Sequence, residues 1–238
     1  MLRITDARTG KLVDAAPARR GLTRVEAHAP AFDTGALRVL LHTDLLVRAL
    51  ELGGTPVWAV LRGERDRPEL RAGAAALGIR PLEEGGEELG AVQVIHVVTE
   101  GGSAPDGVRV AVAPVHTESP APLSGADPVA LRLALLTPRR DTLVRLDTDA
   151  LTEAHDTLVR LRREVAAWAR HPSRPIPDDL RAELREAWED DLDVPRVLRL
   201  LERVEQASGV PDGARFETCA YADRLLGLEL TRDLGSPE

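Results

Sequence analysis

The sequence has 238 residues, of which 43% are hydrophobic and 29% are charged, a balance typical of globular domains. The formal net charge of −8 disfavours an extended nucleic-acid-binding surface, and the single cysteine, Cys219, excludes an internal disulfide and a zinc site built from several thiolates. The sequence begins with no hydrophobic signal region and has no run approaching ~18 apolar residues, so we expect a cytoplasmic protein with no membrane partner.

The first half of the chain alternates strand-like apolar runs with helical patterns. A short hairpin is predicted around Thr9 and Gly10, and amphipathic patterns predict helices at 37–52 and 68–77. This alternation predicts an α/β fold with a Rossmann-like, doubly wound parallel sheet. Ligands bind such sheets at the carboxyl ends of the strands, so a site is expected first at the junction 29–37, where no dinucleotide or P-loop glycine motif occurs. The predicted strands are 25–29, 57–61, 92–98 and 108–112.

The second half of the chain is predicted to be helical. Asp127 is an N-cap for a helix that stops before Pro138, and apolar residues three and four apart predict a long helix at 151–168. After a proline-rich joint, further helices are predicted to begin at Asp178, at Asp193 and near Phe216, which gives an all-α helical bundle after the sheet. We divide the chain into a shortened core at 1–118, a connecting segment at 119–150 and a helical bundle at 151–238.

Short phrases spread along the chain point to a known family. Residues 125–136 read Gly-Ala-Asp-Pro-Val-Ala-Leu-Arg-Leu-Ala-Leu-Leu, residues 33–36 read Asp-Thr-Gly-Ala, and residues 89–96 read Leu-Gly-Ala-Val-Gln-Val-Ile-His. In this order they resemble the segment after the KMSKS loop, the HIGH position and an adenosine-loop strand of cysteinyl-tRNA synthetases. The likeness is greater to their paralogue, the mycothiol cysteine ligase. Further similar phrases lie at 2–11, 42–51, 76–81, 189–195 and 222–228.

The sequence departs from this family at the catalytic parts. The resemblance implies histidines on the phosphates of ATP, but residues 33–36 include an aspartate, which would repel a triphosphate. It implies lysines in the loop before residue 124, but the only lysine is Lys11. It also implies a zinc ion held by a first-strand cysteine and by an insertion; Ala27 or His28 stands at the cysteine position, and the insertion is missing. We therefore predict no catalytic residue and no metal site, and ATP stays open as a cofactor.

Six residues are candidates for lining a ligand pocket. His28 and His96 lie at or near the ends of two predicted strands, and His116 lies in a proline-rich loop that could replace part of the lost one. For each of the three, the alternative is an ordinary loop or core histidine. The other histidines, His42 among them, are predicted to be exposed, and Cys219 is predicted to be a small core residue. The candidates are His28, Asp33, Thr34, Gly35, His96 and His116.

Three functions are compatible with these patterns. The leading hypothesis is a catalytically degenerate pseudoenzyme that binds a protein partner or a small-molecule ligand. The alternative is an active ATP-dependent ligase that forms an adenylate of cysteine or a similar amino acid, with arginines replacing the lost groups. A third hypothesis, binding of tRNA or other RNA through arginines at 139–140 and 160–163, is disfavoured by the net charge and by the expected lack of an anticodon-binding domain. The same arginines also fit solvated helix faces.

Overall fold

A five-stranded parallel sheet lies at the centre of the structure. The computed structural model describes residues 1–17, 21–63, 65–84, 93–117 and 125–235. The strand order is β5-β4-β3-β6-β7, every neighbouring pair is parallel, and the order reverses between β3 and β6. The predicted Rossmann-like, doubly wound α/β sheet is therefore confirmed. Its strands are β3 (Thr23–His28), β4 (Val57–Arg62), β5 (Glu83–Glu84), β6 (Gln93–Thr99) and β7 (Val108–Val112).

Helix α1 (Thr34–Leu52) is the most buried helix next to the sheet. The side chain of Asp33 caps it by accepting the Ala36 N–H at 2.6 Å, and it packs on β3 and β6 as well as on helices α2 (Arg67–Ala76) and α7 (Asp212–Leu226). Because α1 is covered on several sides, its polar residues are buried with its apolar ones. His42 is 2% exposed, so the prediction that it is exposed is wrong.

The helices after the sheet form the predicted all-α bundle. Helix α7 contacts α4 (Thr148–Trp168), α5 (Asp178–Glu189) and α6 (Val194–Gln206), and α3 (Pro128–Leu136) packs on α4. Asp127 caps α3 by accepting the Val129 N–H at 2.9 Å, as predicted. No helix of the described ranges is long and apolar enough to cross a membrane. The domain boundaries stay a prediction, and residues 118 and 119 lie outside the described ones.

Two small sheets flank the central one. Strands β1 (Arg3–Asp6) and β2 (Lys11–Asp14) form the predicted antiparallel hairpin. Strands β8 (Val115–Thr117) and β9 (Val144–Leu146) pair in parallel, which the sequence pattern does not predict. Each has only three residues, too few to show a periodicity.

Buried arginines connect the sheet to the helices. Arg38 on α1 is 0% exposed and donates to the main-chain carbonyls of Ala113, Thr142 and Arg139, each at 2.8 Å. Arg140 is 6% exposed and donates to both carboxylate oxygens of Asp191. Because Arg140 is buried, it does not lie on a solvated helix face and does not contribute to an exposed basic stripe.

Candidate functional site

The carboxyl ends of β3, β4 and β6 surround a cleft of about 650 Å³. The cleft lies where the strand order reverses, the position at which open parallel sheets bind their ligands. Three arginines at and after the end of β4 line it, and none of the described lining residues is acidic. The lining residues are His28, Pro30, Leu61, Arg62, Gly63, Arg65, Arg67, Val98, Thr99, Gly102 and Ser103.

Three polar side chains converge at the edge of this cleft. His28 Nε2 lies 3.1 Å from His96 Nδ1, and Glu26 Oε2 lies 3.7 Å from His28 Nε2 and 3.3 Å from His96 Nδ1. The strand geometry explains the convergence. Glu26 and His28 are two residues apart on β3 and so share one face, while His96 on β6 is in register with Glu26. We call these three residues the Glu26–His28–His96 cluster.

Glu26 is held as a carboxylate by two arginines. Its Oε1 atom accepts from Arg62 Nη2 at 2.8 Å and lies 2.9 Å from Arg24 Nε. Burial by itself would raise the pKa of Glu26, but the hydrogen bond from Arg62 and the charges of Arg62 and Arg24 outweigh it and lower the pKa below its ordinary value. The Oε2 atom is left to face the two histidines.

The surroundings of the two cluster histidines disfavour their charged form. Burial lowers the pKa of His28 and of His96, and the positive groups around them add to this effect. His96 Nε2 lies 3.4 Å from the Asp106 carbonyl oxygen. The following residue, Gly107, has φ of +150°, and a Cβ there would come within 3.0 Å of the His96 ring, so glycine allows the main chain to approach this ring.

The amino end of α1 carries two carboxylates. Asp33 accepts the Ala36 N–H, and Asp66 Oδ2 accepts the Phe32 N–H at 3.1 Å. Free N–H groups at a helix start attract phosphates, but here two of the N–H groups around this start are bound by acidic side chains of the chain itself. The negative charges therefore make this helix start a poor position for a triphosphate.

The structure brings together two of the six candidate residues. His28 lines the cleft, and His96 is 2% exposed and lies against it. Asp33, Thr34 and Gly35 form the start of α1 and do not line the cleft. His116 is exposed on β8 beside Arg145 of β9, in a different sheet. A ligand-binding role for these six stays a prediction.

Residues of this site that the sequence pattern does not reveal are Glu26 and the three arginines. Glu26 could have been noticed as the one carboxylate between the buried residues of its strand. Charged residues are rarely buried unless they are paired, so such a position indicates a partner nearby. Arg62, Arg65 and Arg67 fall in a chain rich in arginine, so their clustering becomes visible only when the strand order is known.

Comparisons with known proteins agree with this architecture. No protein-family model matches the sequence. The L-cysteine:1D-myo-inositol 2-amino-2-deoxy-alpha-D-glucopyranoside ligase of Thermobispora bispora is 38% identical over 105 residues, which are 44% of this chain and only 25% of that protein. The crystal structure of arginyl-tRNA synthetase from Plasmodium falciparum is similar with a TM-score of 0.55 at 10% identity, covering 90% of this chain and 77% of that one. The chain thus has the fold of class I aminoacyl-tRNA synthetases and is related to the cysteine ligase over the matched stretch.

Proposed function

We propose that this chain is a synthetase-like protein that binds a small ligand with an anionic group in the cleft and does not activate an amino acid with ATP. The observation that carries the proposal is the Asp33 cap. This carboxylate binds the Ala36 N–H of α1, where the resemblance implies histidines on the phosphates of ATP. A polyphosphate placed there would meet a negative charge instead of a positive one.

The positive charge of the cleft lies on the β4 side instead. Arg62, Arg65 and Arg67 are arranged around its entrance, and guanidinium groups bind carboxylates and phosphates in a directed way. Arg62 is already paired with Glu26, and Arg67 donates from Nε to the Gly63 carbonyl at 2.7 Å, so Arg65 is the side chain that we expect to contact the ligand most directly. The guanidinium groups of Arg62, Arg65 and Arg67 together favour an anionic group in the cleft.

The similarity to the cysteine ligase supports an origin in ligand-binding ligases without carrying over their activity. The match spans a quarter of that protein. In this chain the lysines implied for pyrophosphate binding are missing, because the only lysine is Lys11. The cleft therefore keeps its position in the sheet, while the groups for adenylate formation are replaced.

Two measurements test the proposal together. In ATP–pyrophosphate exchange with each of the twenty amino acids, we expect no label transfer above the blank. In thermal unfolding, inorganic phosphate and AMP should raise the midpoint of the wild-type protein, because binding to the native state alone stabilises it. The increase should be smaller in Arg65→Ala and unchanged in Arg163→Ala, whose guanidinium is exposed on α4.

The variant Asp33→Asn tests the effect of the negative charge at the start of α1 separately from the effect of the helix cap. Asparagine can still accept the Ala36 N–H, so α1 should remain intact while the negative charge is removed. We expect ATP to raise the unfolding midpoint more in this variant than in the wild-type protein. ATP–pyrophosphate exchange above the blank in the wild-type protein would contradict the proposed loss of adenylate formation. If phosphate and AMP still raise the unfolding midpoints of Arg65→Ala and Arg67→Ala as much as that of the wild-type protein, the cleft is not the anion site.

A further inference from the structure

The Glu26–His28–His96 cluster has the dimensions of a tetrahedral metal site. Its three atom pairs are 3.1, 3.3 and 3.7 Å apart. A tetrahedral ion with metal–ligand bonds of about 2.0–2.1 Å holds its ligand atoms roughly 3.3 Å apart. Octahedral bonds of the same length would bring neighbouring ligand atoms to about 2.9 Å. The three atoms also all lie within 4.8 Å of one another, as ligands of one ion must.

The hydrogen bonds of the cluster leave the lone pair of His96 Nδ1 facing a lone pair of Glu26 Oε2. The Asp106 carbonyl can only accept, so the tautomer that fits the 3.4 Å contact has its proton on His96 Nε2 and directs the lone pair of Nδ1 at the cluster. This Nδ1 faces the carboxylate atom Glu26 Oε2 at 3.3 Å. His28 Nε2 lies 3.1 Å from the same Nδ1 and, in the tautomer protonated there, offers one proton to two acceptors. A cation at the centre would accept electron pairs from all three atoms.

We propose that Glu26, His28 and His96 bind a divalent transition-metal ion, with zinc as the best fit to the ligand set and the spacing. Two histidines and one carboxylate are a common ligand set for zinc with an open fourth position. The contacts outside the cluster fit this role. Arg24 and Arg62 fix the carboxylate through Oε1, and the Asp106 carbonyl orients the His96 ring, as outer groups do around bound metals.

The open position faces the cleft. Glu26 and His96 are each 2% exposed, whereas His28 is half-buried and lines the cleft, so a fourth ligand can approach only from the side of His28. With Arg24 and Arg62 beside Glu26, the site with its ion carries an excess of positive charge. The fourth ligand is therefore an anionic oxygen, nitrogen or sulfur donor, or hydroxide.

This site differs from the zinc site that the resemblance implies. That site uses a first-strand cysteine, at the position where Ala27 or His28 stands here, together with ligands on an insertion that this chain lacks. The cluster uses no thiolate, and one of its ligands comes from β6. The inference does not depend on the proposed function, because metal binding is measured without ATP and without an amino acid.

Metal binding can be measured directly on the untagged protein. After treatment with a chelator and its removal, we titrate Zn²⁺ and Co²⁺, follow the heat of binding and the visible absorption typical of four-coordinate Co²⁺, and determine metal content after buffer exchange. We expect one ion per chain. His28→Ala and Glu26→Gln should weaken binding by at least about 100-fold, more than the loss of an outer-sphere contact does.

Control variants separate this site from unspecific histidine binding. His116→Ala and His155→Ala remove exposed histidines and should leave the affinity unchanged. His28→Ala is the main variant because His28 is half-buried, and circular dichroism verifies its fold. A wild-type protein that binds no stoichiometric ion would overturn the proposal and leave a hydrogen-bonded histidine pair. Binding that persists in both His28→Ala and Glu26→Gln would also overturn it. The change in unfolding midpoint that phosphate and AMP cause in the chelator-treated protein tests the proposed function separately.

Discussion

Arg132 on α3 donates a hydrogen bond from Nη2 to Asp44 Oδ2 on α1 at 2.8 Å, and the two side chains are 0% and 1% exposed. The same guanidinium donates to the main-chain carbonyls of Leu77 and Leu226, so one side chain joins three helical segments to α1. Asp44 also forms ion pairs with Arg48 and Arg80. The charges of these arginines outweigh the effect of burial and lower the pKa of Asp44, so it is ionised in the folded protein.

Removing the Arg132 side chain should therefore strongly lower the free energy of unfolding. We expect Arg132→Met to lower the free energy of unfolding by about 3–5 kcal/mol, since it leaves a buried carboxylate and two carbonyls with fewer partners. Arg80→Ala is the matched control because Arg80 also contacts Asp44 but is 41% exposed, and it should cost about 0–1 kcal/mol. Urea unfolding measures both. A loss in Arg132→Met no larger than in Arg80→Ala would contradict this account.

His42 should be replaceable by an apolar residue with a gain in stability. Both of its ring nitrogens are buried without a hydrogen-bond partner in the described part of the chain. An unsatisfied buried polar group costs about 1–3 kcal/mol, so we expect His42→Leu to raise the free energy of unfolding at pH 7 by about 1 kcal/mol or more. Chemical denaturation measures the change. A destabilised variant with an unchanged m-value would show that the imidazole has a partner or a packing role that leucine cannot fill.

The same residue predicts a pH dependence. Burial, together with the charges of Arg38, Arg140 and Arg132, lowers the pKa of His42 well below its ordinary value of 6.5. Below pH 6.5 the unfolded chain therefore binds a proton at His42 that the folded chain does not, so folding is weakened as the pH falls. The difference in unfolding free energy between His42→Leu and the wild-type protein should grow by up to about 1.4 kcal/mol per pH unit below pH 6.5. A constant difference between pH 5 and pH 8 would contradict this.

Gly213 at the start of α7 should not tolerate alanine. A Cβ there would lie 2.0 Å from the Pro172 carbonyl oxygen, so either α7 or the proline-rich joint would have to move. We expect Gly213→Ala to cost about 1–3 kcal/mol despite the higher helix propensity of alanine. Gly209→Ala is the control, because a Cβ at Gly209 has no atom within 4 Å among the described residues. Thermal unfolding of the pair provides the test, and equal midpoints would contradict the steric argument.

The sheet could be predicted because its signal is local. Four of its five strands overlap the predicted strand-like runs, and helical patterns separate the first three of these runs, which favours a parallel arrangement. Strand β5 consists only of Glu83 and Glu84 and has no such signal. The contacts made by polar residues could not be predicted in this way. Glu26 and His96 are 70 residues apart, and only the register of β3 with β6 brings them together.

The exposure of His42 on α1 was predicted wrongly for a related reason. A polar residue on an amphipathic helix is expected to face solvent, but α1 is covered by the sheet, by α2 and by α7. Its polar residues therefore lie in the interior. Arg38 and Asp44 find partners there, whereas His42 does not. Asp191 likewise binds Arg140 and Thr5, a role that its position before α6 does not indicate.

Arg38 has a further consequence for protein engineering. Its guanidinium contacts the carbonyls of Ala113, just before β8, and of Thr142, just before β9. None of these atoms belongs to the stretch 118–124, where the resemblance implies a lysine-bearing loop. A loop transplanted there from an active ligase would leave these anchoring contacts in place. Such a chimaera, made with and without Asp33→Asn, would measure whether the loop or the Asp33 charge has the larger effect on ATP–pyrophosphate exchange.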